Sequence, residues 1–187
     1  MSERYELRGV RIGAAIVVAA VAAFLVWFFV IRDGGDDNGN ASAGSTAGPV
    51  AASESEIADL AKENDQEIVW AGDQPGTTNL ELTETRDGNV YVRYLTGDAK
   101  IGTPKPSYLT VGTYPFPKAL HALEVIAKRP GAVTEKVDDG GLAVTNRNSP
   151  TSVYLAYPGE DVQVEVYDRD PEKALDLVTS GEIRSVP

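Results

Sequence analysis

Residues 12–31 read IGAAIVVAAVAAFLVWFFVI, twenty positions without a charge. The run has no polar face of the kind a soluble amphipathic helix shows. At 1.5 Å per residue it spans about 30 Å, the thickness of a bilayer core. Residues 33–52, DGGDDNGNASAGSTAGPVAA, have no periodicity. From Ser53 onward, apolar positions recur in short stretches with the spacing of strands and helices. The pattern predicts a membrane span, a tether and a folded domain over 53–187.

Within the domain, Ser53 and Glu56 make an S-x-x-E capping box ahead of Ile57, Leu60 and Ala61, which predicts a helix start. Ile68, Val69 and Trp70 form a brief apolar run, read as a strand. Residues 80–85 and 90–95 flank Arg86, Asp87 and Gly88. A three-residue hairpin loop needs a left-handed residue at its last position, and Gly88 supplies it. That register sets Leu80, Leu82, Val90, Val92 and Tyr94 on one face. A two-residue loop would mix apolar and charged residues on both. Residues 108–114 read as another strand. Pro117 suits the first turn of a helix, with Leu120, Leu123 and Ile126 on one side and an end near Pro130 and Gly131.

The order then recurs. Residues 133–137 are a short strand, and Asp138, Asp139, Gly140 and Gly141 are a turn. Residues 142–147, 153–157 and 162–167 are strands. Pro171 opens a helix through Ala174, Leu175 and Val178, ended by Gly181. Spelling recurs too: VYVRYL at 90–95 with VYLAYP at 153–158, TETR with VTNR before the hairpin turns, TVGTY and PKAL with QVEVY and PEKAL. These matches predict a tandem α-β4 repeat, 53–116 and 117–181. The fold class is α+β: an antiparallel sheet with helices on one face and the other face open to water. The element order resembles tandem α-β4 scaffolds such as the β-lactamase inhibitor protein and, half by half, cystatin-like folds. The resemblance lies in element order, carries no functional residue across, and such folds host unrelated functions.

Flanking residues decide between an anchor and a cleaved signal peptide. A signal peptide has a shorter apolar region, about 7–15 residues, with a small-x-small site close behind. Here Arg32 and Asp33 follow, and the nearest such triplet is ASA at 41–43. An uncleaved anchor is expected. Arg4, Arg8 and Arg11 precede the span; only Arg32 follows, beside Asp33, Asp36 and Asp37. The positive-inside rule then puts a tail, 1–11, in the cytoplasm and the domain outside it. The linker, 32–52, cannot bury enough apolar surface to offset its ordering entropy and is expected to be disordered. As a coil it reaches on the order of 25 Å.

Composition narrows the chemistry. The chain has no cysteine, which excludes disulfides, thiolate metal sites, a cysteine nucleophile and a lipidated cysteine. A single histidine excludes a multi-histidine metal site. The formal charge is −11; four of the 17 Lys/Arg and two of the 28 Asp/Glu precede residue 33, so the remainder carries −13. Such acidity, with no basic aromatic stripe, argues against nucleic acid as a partner. There is no G-x-S-x-G elbow, no S-x-x-K and no P-loop spacing. His121 lies about 100° round its helix from Leu120 and is expected to face solvent. No catalytic residue, metal or cofactor is expected.

Alternation supplies one candidate site. If Val90, Val92, Tyr94, Leu109, Val111, Val153, Leu155, Tyr157, Val162, Val164 and Val166 face the helices, the opposite face carries Tyr91, Arg93, Tyr108, Tyr114, Tyr154, Gln163, Glu165 and Tyr167. Tyrosine with arginine on an open sheet is the composition of a binding hot spot, although tyrosine also suits cross-strand packing on any face. The expected function is a single-pass membrane-anchored binding or sensor module for a protein or cell-envelope partner. A carrier of an apolar envelope ligand is the first alternative, an enzyme the second. The Ala-, Gly-, Val- and Asp-rich composition fits a bacterial envelope. Intact-mass measurement of the mature protein should find residues 1–32 retained; a mature start near Gly44 would refute the anchor.

Overall fold

The computed structural model describes residues 48–187. The expected span at 12–31 and the tether up to residue 47 lie outside the described residues. Among the described residues, no helix is long and apolar enough to cross a membrane. Three helices occur there: α1 (Glu54–Glu63), α2 (Ala119–Ala127) and α3 (Pro171–Thr179). The main sheet runs β1 (Val50–Ala52), β3 (Thr77–Glu84), β4 (Val90–Thr96), β5 (Thr110–Pro115), β9 (Val162–Tyr167), β8 (Ser149–Ala156), β7 (Leu142–Asn146), β6 (Ala132–Lys136). Every neighbouring pair is antiparallel. Strands β2 (Val69–Trp70) and β10 (Arg184–Ser185) pair separately. The architecture is α+β, an eight-stranded antiparallel sheet with three helices.

Local chemistry accounts for the element ends. Ser53 caps α1: the Glu56 N–H donates to Ser53 Oγ at 3.3 Å, and the Ser53 N–H donates back to Glu56 Oε2 at 2.7 Å. Asp170 caps α3 by accepting from the Glu172 N–H at 3.0 Å, with Pro171 in the first turn. The β3–β4 hairpin has the three-residue loop: the Thr85 N–H donates to Asn89 O at 2.9 Å, and Gly88 takes a φ of 77°. Leu80 therefore faces Tyr94 and Leu82 faces Val92. Two expectations need correction. Val50–Ala52, expected in the linker, form β1 against β3; three residues are too few to show a period. Pro117 does not open α2. Lys118, at a φ of 60°, precedes the helix without a side-chain cap. The β8–β9 turn holds this segment instead, through Lys118 N–H to Asp161 Oδ1 at 2.8 Å and Phe116 N–H to Asp161 O at 2.7 Å.

The sheet is covered on both faces, not on one. The first face forms a continuous core: Val92, Tyr94, Val111, Val153, Leu155, Val164 and Val166 pack with Ile57 of α1 and Ala174, Leu177 and Val178 of α3. The buried side of α2, Ala119, Ala122, Leu123 and Ile126, is no part of that core. It lies against β6 to β9. There Val144, Tyr154 and Ala156 alternate away from Ala143, Val153 and Leu155, yet each is 1% exposed or less. Helix α3 already occupies β8 and β9 on the first face, which leaves this second apolar row for α2. The two meanders β3-β4-β5 and β7-β8-β9 meet through β5 and β9. The helices at the start of each expected repeat, α1 and α2, sit on opposite faces, and β2 and β6 belong to different sheets.

Truncating Val92 or Leu155 to Ala should cost about 1–4 kcal/mol, the range for large-to-small core changes. Tyr154→Ala should cost about 3–5 kcal/mol, as for other buried aromatics, and half-buried Tyr91→Ala less. Urea denaturation checks the order; a Tyr154→Ala midpoint at the wild-type value would contradict its burial.

Candidate functional site

The eight candidate residues do share the second face, but they do not form an open surface. Residues 97–109, between β4 and β5, fold back across it. Glu81 on β3 and Arg93 on β4 are direct cross-strand partners. Glu81 is 1% exposed and accepts from Arg93 Nη1 and from the Gly102 N–H, both at 2.5 Å. Arg93 also donates to Thr103 O at 3.2 Å and to Lys105 O at 2.9 Å. Its guanidinium lies 5.7 Å from the centre of the Tyr108 ring. Tyr167 on β9 donates to Pro106 O at 2.7 Å. Arg93, Tyr108 and Tyr167 are thus brought together to pin a loop.

A second group surrounds Glu165 on β9. Tyr114 donates to Glu165 Oε2 at 2.7 Å and Tyr154 to Oε1 at 3.0 Å. Burial, and then the Glu165 charge, push the Tyr114 hydroxyl well above its ordinary range, so it stays protonated and donates. Tyr91 packs edge-on against Tyr114 with ring centres 5.7 Å apart. Glycine at 112 makes room for the Tyr114 ring: a Cβ there would lie 2.9 Å from its hydroxyl oxygen. Gln163 stands apart, 1% exposed, and neither of its amide atoms has a hydrogen-bond partner among the described residues.

Three of the candidates are buried rather than on an open surface. They are Tyr154, Gln163 and Glu165, on a face expected to be wet. Sequence reasoning missed Glu81, although the hairpin register that sets Leu82 opposite Val92 also sets Glu81 opposite Arg93. His121 faces solvent as expected, 3.6 Å from Glu124.

Two surface concavities lie at opposite ends of the strands. The β4–β5 loop lines a surface concavity of about 590 Å³ with Asp98, Lys100, Ile101, Thr103, Lys105 and Tyr108. At the other end, Lys118, His121, Glu124, Tyr157, Glu160 and Asp161 line one of about 340 Å³. There burial, then Glu67 and Asp139, raise the Glu160 carboxyl above its ordinary range. Tyr157 is raised by burial first and by Glu160 next. No family model, curated protein or solved structure matches the chain. Among the described residues, no group of His, Asp and Glu side chains converges to hold a metal ion.

Removing one partner of the Glu81–Arg93 pair leaves the other charge uncompensated. Arg93→Met should cost about 2–4 kcal/mol, somewhat below a fully buried pair because the guanidinium keeps some contact with water. It should also speed tryptic cleavage after Lys100. Adding Glu81→Leu should recover much of the stability while the loop stays loose. A single variant as stable as wild type would show that the pair does not hold the loop.

Proposed function

We propose that the chain is a non-catalytic binding module, anchored by residues 12–31 and displayed outside the cytoplasm, that recognises a protein or cell-envelope partner through its β4–β5 loop. The observation that carries this reading is the anchoring of that loop. A buried carboxylate, a guanidinium and the Tyr167 hydroxyl fix its backbone, while exposed Lys100 and Lys105 line its concavity. Loops held on a rigid scaffold are the usual place for recognition, and fixing a loop beforehand lowers the entropy lost on binding. Recognition moves from the sheet face to the segment that covers it. The carrier reading has less support, because the side chains between the sheet and α1 and α3 pack on one another and both concavities lie at the surface.

We also read the paired meanders as a duplication. VYVRYL and VYLAYP fall on β4 and β8, and TVGTY and QVEVY on β5 and β9, places that are equivalent counted outward from the centre of the sheet.

Chemical crosslinking in intact envelopes tests the loop. Lys100→Glu with Lys105→Glu should reduce capture of the wild-type partner about tenfold or more and leave stability within about 1 kcal/mol. Undiminished capture by this variant would overturn the assignment to the loop.

A further inference from the structure

Carboxylates are unevenly distributed over the domain. Residues 125–134 and 142–151 contain none, in a chain with 28 Asp/Glu among 187 residues. The same two segments contain Lys128, Arg129 and Arg147. The fold brings them to one corner, where α2 runs into β6 beside the β7–β8 turn. The Arg147 N–H donates to Gly131 O at 2.9 Å, and the Ala132 N–H donates to Arg129 O at 3.2 Å. All three basic residues are exposed. Of the carboxylates that flank the corner, Glu124 lies 3.6 Å from His121, Asp168 lies 3.4 Å from Lys173, and Asp170 caps α3 beside Glu172. Glu135 opposes Ala143, on the far side of the sheet from α2.

One acidic group lies toward the other end of the strands, while Asp168, Asp170 and Glu172 leave β9 at the same end as the β7–β8 turn, with Arg169 and Lys173 among them. In that first group, Glu67, Asp138, Asp139 and Glu160 act on Tyr157. Asp138 is seven residues on from Gly131, about 23 Å along β6 at the rise of a strand. That is more than two Debye lengths at physiological salt, about 8 Å each. An anionic surface at the basic corner would therefore feel the basic side chains there far more than this distant acidic group.

We propose that this corner docks the domain onto the anionic lipid headgroups of its own membrane. The proposal rests on the membrane-anchor reading above. That reading is what favours lipid over any other polyanion, because a bilayer is the one anionic surface the sequence keeps within reach. The chain joins the sheet at β1, seven strand spacings from β6, about 34 Å away. Residues 33–49, fully extended, would span up to about 58 Å, so anchor and corner can engage one bilayer together. Arginine forks suit phosphate oxygens, and each Lys or Arg near an anionic leaflet favours the docked state about fivefold.

The absence of cysteine lets one dye report one place. Asn148→Cys labels the β7–β8 turn, and Asp87→Cys labels the β3–β4 turn at the other end of the sheet. Each full-length variant is reconstituted into vesicles of phosphatidylcholine alone, or with about 30% phosphatidylglycerol, with a quencher on the lipid. Docking predicts stronger quenching at position 148 in the anionic vesicles, relieved by about 0.5 M salt, and no such difference at position 87. Lys128→Glu with Arg147→Glu should lower the docked-to-free ratio about tenfold or more, and the milder Lys128→Gln with Arg147→Gln should fall between. Equal quenching in both vesicles, or indifference to these charge changes, overturns the proposal. Relief by millimolar glycerol phosphate would mark a small-anion pocket and overturns it too. Failure of the chain to float with either vesicle is a separate result; it overturns the anchor and the docking with it.

Discussion

The ladder between β5 and β9 joins two three-stranded meanders into one sheet, and everything else in the domain follows its register. Val111 pairs with Val166 and Thr113 with Val164 toward the first face; Gly112 pairs with Glu165 and Tyr114 with Gln163 toward the second. Strand side chains alternate, so a slip of one residue would turn Glu165 and Gln163 into the aliphatic core. The register also brings Tyr114 of β5 and Tyr154 of β8 to the two oxygens of the same carboxylate. Ladder, carboxylate and tyrosines act as one device: a buried charge is tolerable only where both oxygens are satisfied.

The second face is covered by two unlike pieces, and their chemistry differs accordingly. The loop brings backbone groups, and Glu81 and Arg93 supply the charges that satisfy them. Helix α2 brings Ala119, Ala122, Leu123 and Ile126, which carry no polar group, and the buried Gln163 amide has no hydrogen-bond partner among the described residues. An unpaired buried amide is costly. Helix α2 is nine residues long and has no side-chain cap of its own. Its start depends on Asp161 in another turn. The apolar part of the cover is therefore held at its start by a residue of another turn.

Much of this fold was legible in the residues because short-range chemistry decided it. Ser53 with Glu56, Pro171, and Gly88 each fix a chain reversal or a helix start within a few positions. Alternation then says which residues share a face. It does not say what lies over that face. The path of residues 97–109 is set by Glu81, Arg93 and Tyr167, contacts made across several strands, and the spacing of Lys100, Lys105 and Tyr108 gives no hint of it. Helix α2 shows the same limit. Its apolar stripe shows that it covers something; only the prior occupation of the first face by α3 decides which side remains. Val50–Ala52 are too short to carry a pattern and depend wholly on the edge that β3 offers.

The tyrosines show that composition alone does not decide the role of such residues. A tyrosine combines a large apolar ring with one hydroxyl donor, which suits a half-wet interface. The same pair of properties suits a buried carboxylate among strands, where the ring fills volume and the hydroxyl meets the charge. Tyr114 and Tyr154 do this for Glu165, and Tyr167 does the equivalent for the Pro106 carbonyl. Arginine is ambiguous in the same way, since its fork serves a partner's carboxylate or a neighbour's. What separates the two uses is whether an acceptor of the same protein sits directly across the ladder. Glu81 opposite Arg93 and Glu165 beside Tyr154 are such acceptors, and they turn side chains with the make-up of a binding site to the protein's own loop and sheet.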